Sequence, residues 1–172
     1  MIVGKIVSGG QTGVDRAALD CALRLSLPCG GWCPRRRMAE DGPIPNVYPL
    51  QETPQEDYVQ RTLWNVRDSD ATLALCRGEL TGGTAAAVYH AIEMGKPIHI
   101  VDLNAVQHGL KEVCDGLRLW LEQRKIATLN IAGPRESERP GIQAQALAFL
   151  LQLFGGAAPS APGKRSLQSA CS

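Results

Sequence analysis

Short apolar segments alternate with helical patterns along most of the chain, and this alternation constrains the fold more strongly than any other feature. Apolar runs predict strands at residues 3–8, 29–32, 71–76, 97–102 and 127–131. Apolar residues at helical spacing predict helices at residues 15–26, 55–67, 84–94, 110–124 and 142–154. Strands that alternate with helices form a parallel sheet covered on both faces. We therefore predict an α/β fold, a Rossmann-like open parallel sheet of about five strands with helices on both faces.

The chain is predicted to form one domain followed by a tail. At 172 residues it is long enough to bury a core without metal or disulfide support. Residues 1–154 carry the alternating pattern and are predicted to be a single Rossmann-like ligand-binding domain. Residues 38–54 are rich in proline and polar side chains, which predicts an ordered loop over the ligand-binding edge of the sheet. Gly, Ala, Pro and Ser dominate residues 155–172, which predicts a disordered tail.

Composition excludes several classes of partner. The formal net charge is +1, so no global field attracts nucleic acid or an anionic membrane. No apolar stretch approaches the ~20 residues of a transmembrane helix, and the N-terminal run lacks a signal-peptide pattern. We expect a cytoplasmic protein that binds neither nucleic acid nor membrane. The six cysteines lack paired C-x-x-C spacing, so we predict buried thiols and no protein-held metal.

Two glycine-rich turns each follow an apolar run and precede a helical pattern. The first glycine turn consists of Ser8, Gly9, Gly10, Gln11, Thr12 and Gly13. The second consists of Thr81, Gly82, Gly83 and Thr84. Helix N-termini carry unpaired N–H groups and the positive end of the helix dipole, so both turns suit a phosphate. The first turn lacks the Walker A ending and the spaced glycines of a dinucleotide turn, and each of the two turns is also compatible with having no ligand.

Further candidate binding residues lie near the first glycine turn or after the second strand. Arg16 opposes the helix dipole in the first helical turn, which indicates either a salt bridge or an anion ligand. Arg35 and Arg37 suit bidentate contact with oxyanions, although a solvated basic loop explains them too. Trp32 could stack on a heterocycle or pack half-buried, and Cys33 is more typical of an inert thiol than of a metal ligand. The sequence thus predicts a binder of a phosphate-bearing small molecule, with no nucleophile–base pair for catalysis.

These residues resemble the molybdenum carrier family, the molybdenum-cofactor carrier proteins. The resemblance rests on the segment 8–20, on 31–34 with Arg37, on 39–42 and 48–50, and on 61–62, 65–66, 68–72 and 80–84. It extends over residues 1–155 and leaves out the tail. It implies a homo-oligomer, either a dimer or a tetramer, that binds the molybdenum cofactor, a pterin with a phosphate and a metal-bearing dithiolene.

That family is similar in fold to the lysine-decarboxylase-like phosphoribohydrolases. Those enzymes carry an Arg nine residues before an Asp, and Arg61 and Asp70 have that spacing here. They also carry a Pro-Gly-Gly-x-Gly-Thr-x-x-Glu motif, and aligning its Gly-Thr with Gly83-Thr84 places Ala87 at the position of the Glu. A methyl group cannot serve as general acid. The resemblance thus implies that the protein binds its ligand without turnover, unless a carboxylate of Glu40, Asp41 or Asp102 takes the place of the missing glutamate. The alternative functions to a cofactor carrier are a nucleoside-monophosphate phosphoribohydrolase and a nucleotide sensor.

Overall fold

The computed structural model describes residues 2–156, which form eight strands and five α-helices. The strands are β1 (Lys5–Val7), β2 (Cys29–Cys33), β3 (Met38–Ala39), β4 (Gly42–Pro43), β5 (Leu50–Glu52), β6 (Ala71–Cys76), β7 (Ile98–Asp102) and β8 (Thr128–Ala132). The helices are α1 (Val14–Arg24), α2 (Tyr58–Arg67), α3 (Gly82–Glu93), α4 (Leu110–Gln123) and α5 (Ile142–Gly155). Gly155, where the predicted tail begins, still belongs to α5, and residues 157–172 lie outside the described part of the chain.

Six strands form one parallel sheet in the order β5-β2-β1-β8-β6-β7, while β3 and β4 form a separate antiparallel pair. The predicted Rossmann-like α/β fold is confirmed, with a slightly higher strand count than the five expected. The additional strand is β5, which pairs with β2 through Leu50 opposite Gly31. It lies inside residues 38–54, predicted as a loop, because the buried Leu50 fixes this segment at the edge of the sheet.

The two faces of the sheet carry side chains of different size. Helix α5 packs against α1 and α4 over one face, whose core contains fully buried large residues such as Leu73, Leu129 and Ile131. Helices α2 and α3 pack together, and their small buried cluster includes Ala87 with Ala132 packed against it. Small side chains on this second face leave space between the helices and the sheet.

Helix α2 is fixed at both ends by polar side chains. At its start, the carboxylate of Asp57 accepts hydrogen bonds from the backbone N–H groups of Val59 and Gln60, which satisfies two orphan donors. Beyond its end, the Lys96 ammonium donates to the carbonyls of Val66, Arg67 and Ser69. The positions of the α2 side chains over the sheet are therefore well defined. Among residues 2–156, no helix has the length and apolar character needed to cross a membrane.

Candidate functional site

An open cleft lies at the carboxyl edge of the sheet, beneath α2 and α3, with about 300 Å³ of empty space when the adjoining open solvent is included. Strand β8 leads to α5 on one face, whereas the neighbouring β6 leads to α3 on the other face. Open α/β sheets bind ligands at such a switch point. The cleft is lined by Gly9, Asp15, Arg61, Thr62, Asn65, Gly83, Ala87, Asn130, Ile131, Ala132 and Gly133.

An ion pair between Arg61 and Asp15 forms the charged part of the cleft. Arg61 Nη1 lies 2.7 Å from Asp15 Oδ2, and the two side chains are only 12% and 4% exposed. Gly9 makes this approach possible, because a Cβ added there would overlap the Arg61 guanidinium. The buried Nε of Arg61 has no hydrogen-bond partner in the described part of the chain. Arg61 is thus a fixed cation with unused donor capacity, a group suited to an oxyanion.

The second glycine turn reaches the same cleft. Thr81 precedes α3, and its carbonyl accepts hydrogen bonds from the N–H groups of Thr84 and Ala85. Gly82 adopts a φ of +51°, which favours glycine, and Gly83 lines the cleft with open space where a Cβ would lie. Thr84 is buried behind the turn. The N-terminus of α3 therefore opens toward the cleft near Arg61.

The first glycine turn uses most of its N–H groups internally. The N–H groups of Gln11, Thr12 and Gly13 donate to the side chains of Asp15, Gln11 and Gln143, respectively. The N–H of Ser8 donates to the carbonyl of Gly30. Ser8 Oγ donates to the carbonyl of Ile131. Gly10 carries a φ of +77° and has Leu50 beside it. Gly9 is the member of this turn that lines the cleft.

Arg16 makes a salt bridge, which was one of its two predicted alternatives. Its guanidinium makes a bidentate contact with Asp41, in which Nη2 lies 2.7 Å from Oδ1, and its Nε donates to the carbonyl of Gly10. This hydrogen bond from Arg16 holds the pKa of Asp41 below its ordinary value. Arg16 does not line the cleft, so its predicted contact with a ligand remains a prediction.

Trp32, Arg35 and Arg37 also lie outside the cleft lining. Trp32 donates from Nε1 to Asp68 and packs edge-on against Trp64, with ring centroids 4.7 Å apart. Arg35 is exposed. Arg37 donates to four carbonyls of the segment leading into β5, those of Ile44, Pro45, Tyr48 and Leu50. The geometry gives Arg37 a structural role in holding this segment.

The carboxylates considered as replacements for the hydrolase Glu are engaged elsewhere. Glu40 accepts hydrogen bonds from Thr12 and Ser137, and Asp102 accepts one from the N–H of Asn104. Asp41 is paired with Arg16. Asp15 is the one carboxylate among the cleft-lining residues of the described chain, and Ala87 lines the cleft one helical turn after Gly83.

No group of three or more His, Cys, Asp or Glu side chains suited to a metal occurs within the described residues. Cys33 is fully buried, and burial raises the pKa of its thiol. A thiol in that environment is inert rather than reactive.

Five polar or glycine residues of the cleft were not predicted as site residues, namely Asp15, Thr62, Asn65, Asn130 and Gly133. Asn130 carried a usable signal, since it is a polar residue inside an apolar strand run. Asn65 follows Arg61 by four residues and Thr62 by three on the same helix, and each of these spacings keeps the pair on one face. Asp15 was visible only as a favourable acid in the first turn of α1.

Comparison with known proteins gives one family and one solved structure. Residues 6–154 match the model of the circularly permutated YpsA SLOG family. The crystal structure of a "putative molybdenum carrier protein" from Syntrophus aciditrophicus is 42% identical, covers 89% of this chain and 95% of its own, and superposes with a TM-score of 0.84. A search of curated proteins gives no match. The structural similarity confirms the resemblance that the sequence motifs predicted.

Proposed function

This chain belongs to the circularly permutated YpsA SLOG family, and on that premise we propose that it binds a phosphate-bearing small molecule in the cleft without turning it over. The ligand we propose is the molybdenum cofactor, held as cargo by a carrier or storage protein. The observation that carries the proposal is the Arg61 guanidinium, a buried cation with an unpaired Nε, beside the start of α3.

Arg61 and the start of α3 support the phosphate part of the proposal. A phosphate near Gly83 would meet the positive end of the α3 dipole and the donors of Arg61 together. In a partly buried cleft these charge-assisted hydrogen bonds are stronger than at an exposed surface. The paired Asp15 keeps Arg61 in place before a ligand arrives.

Ala87 supports binding without turnover. Its methyl group lines the cleft. The motif resemblance aligns Ala87 with the glutamate of the phosphoribohydrolases, and a methyl group can neither donate a proton nor stabilise a developing positive charge. The remaining carboxylate, Asp15, is engaged by Arg61. This arrangement favours retention of an intact ligand.

The polar lining of the cleft and the similarity to a solved structure support a small cofactor as cargo. The cleft is lined by one charged pair, two amides and a hydroxyl, and polar groups of this kind can fix the orientation of a ligand. The similar protein from Syntrophus aciditrophicus is described as a molybdenum carrier. Molybdenum would be held through the cofactor's own dithiolene, so the proposal requires no side-chain ligand for the metal.

We also propose a homo-oligomer that uses the surface of α3 and the adjacent edge strand β7. Tyr89 and Ile92 on α3 are 59% and 61% exposed, and Ile100 on β7 is 46% exposed. Neighbouring exposed apolar side chains of this kind mark interaction surfaces. Light scattering should show a dimer or tetramer, and Ile92→Lys should shift it toward monomer; a wild-type monomer at micromolar concentration would contradict this part.

The decisive experiment compares cofactor retention by the wild type and two matched arginine variants. Protein purified without oxygen is oxidised and assayed for pterin fluorescence and for molybdenum in the same sample. Arg61→Ala should lose most of the bound pterin. Arg124→Ala removes the same charge from an exposed position at the end of α4 and should retain it. Equal pterin in both variants would contradict the assigned site.

Arg61 also favours a hydrolase, because it has the sequence spacing of the phosphoribohydrolase arginine. Incubation with purine and pyrimidine nucleoside monophosphates should release no free base if the carrier proposal holds. Base release that disappears in Arg61→Ala would replace the carrier with a phosphoribohydrolase. Tight nucleotide binding without release and without pterin would instead indicate a nucleotide sensor.

A further inference from the structure

A polar pair lies in an otherwise apolar part of the sheet, and one of its members, Asn130, lines the cleft. Asn130 on β8 lies opposite Thr72 on β6, and both residues are almost completely buried, at 2% and 1% exposure. Asn130 Nδ2 lies 3.2 Å from Thr72 Oγ1. Its strand neighbours Leu129 and Ile131 are fully buried in the apolar core on the other face.

The two amides that line the cleft differ in how they are bonded. Asn65 uses both of its side-chain atoms on the backbone of Trp32: Oδ1 accepts from the N–H at 2.7 Å, and Nδ2 donates to the carbonyl at 2.9 Å. The bond from Asn130 to Thr72 uses one amide atom and leaves the other for the cleft that Asn130 lines. That other atom is not one of the buried side-chain atoms that lack a partner among residues 2–156, which are Gln11 Nε2 and Arg61 Nε, so it is open to the cleft. A ligand in the cleft can therefore replace water as its hydrogen-bond partner.

We propose that Asn130 forms hydrogen bonds with the polar edge of a heterocycle on the ligand and so recognises that ring. This proposal rests on the phosphate-binding function above. A phosphate beside Gly83 and Arg61 would direct the rest of the molecule into the space between the helices and the sheet, toward Asn130. Because a threonine hydroxyl both donates and accepts, Asn130 can bond Thr72 through either amide atom and offer the other to the ring.

The ligand class is therefore a phosphorylated compound whose heterocycle carries a lactam or amino edge. Pterin and guanine share such an edge, a 2-aminopyrimidin-4-one ring with N–H donors beside a carbonyl acceptor. Either orientation of the Asn130 amide can bond that ring. Asn130 is a specificity-determining residue in this scheme, whereas Arg61 supplies affinity for any phosphate.

The test measures binding of two probes by calorimetry to the wild type and to three variants. Guanosine 5′-monophosphate carries both phosphate and lactam edge, and ribose 5-phosphate carries the phosphate alone. Asn130→Leu and Asn130→Ala should each weaken the nucleotide on the order of 10-fold, the effect of one lost buried hydrogen bond, and leave ribose 5-phosphate unchanged. Arg61→Ala should weaken both probes.

Retained binding of ribose 5-phosphate shows that an Asn130 variant is folded. If the nucleotide binds the wild type and both Asn130 variants equally, the assignment of Asn130 is overturned while the phosphate site stands. If neither probe binds the wild type, the proposed function fails first. If the nucleotide binds the wild type no more tightly than ribose 5-phosphate does, the cleft does not recognise the heterocycle, and the inference is wrong.

Discussion

Removal of Asp15 should destabilise the protein by leaving a buried cation without its partner. The Arg61 side chain is 12% exposed, and its guanidinium is fixed by Asp15 at 2.7 Å. Breaking a buried ion pair from one side costs about 3–5 kcal/mol. We expect the lower end, about 3 kcal/mol, for Asp15→Ala, because the open cleft lets water reach part of the guanidinium.

The thermal midpoint should fall in proportion. For a domain of this size, 1 kcal/mol corresponds to a shift of roughly 2–4 °C, so Asp15→Ala should melt roughly 6–12 °C lower. Calorimetry or circular dichroism measures this shift directly. Urea unfolding supplies the free energy of unfolding at a common temperature.

A double variant separates the ion pair from the other roles of Asp15. Asp15 also accepts a hydrogen bond from the N–H of Gln11 and lies in the first turn of α1, where an acid is favourable. Asp15→Ala combined with Arg61→Leu removes the unpaired cation but keeps those other losses. It should recover about 2 kcal/mol relative to Asp15→Ala alone. A double variant no more stable than Asp15→Ala would refute the reasoning that Arg61 needs this partner.

Three other predictions test backbone geometry, pH dependence and thiol burial. Gly9→Ala should displace Arg61 and reduce ligand binding, because the added Cβ would overlap the guanidinium. The control variant Gly116→Ala adds a Cβ in open space at an exposed position inside α4, and it should add about 0.5–1 kcal/mol of stability. Equal effects of the two variants in binding and melting assays would contradict the overlap at Gly9. Asp41 has a depressed folded-state pKa, so its stabilising contribution is full above about pH 4 and is lost as pH falls through the folded pKa. The stability deficit of Asp41→Asn in urea unfolding should therefore narrow below pH 4, and a constant deficit down to pH 2 would contradict the linkage. Burial raises the pKa of Cys21 to about 12, so iodoacetamide at pH 8 should leave it unmodified in native protein, as read by peptide mass spectrometry.

The main elements of the fold were predictable because their burial is periodic or continuous. The run 71–76 was predicted as a strand, and every residue of β6 is buried. Helix α3 ends at Glu93, shortly before Gly95 with its φ of +62°, as the sequence punctuation indicated. Strand β5 was missed because three residues with one buried side chain show no period. Its identity as a strand depends on pairing with β2.

The site was less predictable because an arginine's role depends on partners that are distant in sequence. Arg16 and Arg61 are both nearly buried, yet the first contacts Asp41 and the second contacts Asp15. Neither pairing follows from local spacing, since the partners lie 25 and 46 residues apart. The role of Asp70 likewise does not follow from its spacing to Arg61. Its carboxylate accepts hydrogen bonds from two backbone N–H groups at the start of β8, at the end of the sheet opposite the cleft.

The two glycine turns have similar sequences, but we expect them to differ in their capacity for an anion, because their N–H groups have different acceptors. The first turn contains Gln11 and is followed by Asp15, and these side chains accept N–H groups from the turn itself. The second turn contains threonine and glycine alone, and the N–H groups of Thr84 and Ala85 share the carbonyl of Thr81 as their acceptor. An anion at the first turn would compete with the side chains of Asp15, Gln11 and Gln143 for N–H groups that they already bind. We therefore expect the start of α3 to be the stronger phosphate site, because it adds the helix dipole and lines the same cleft as Arg61.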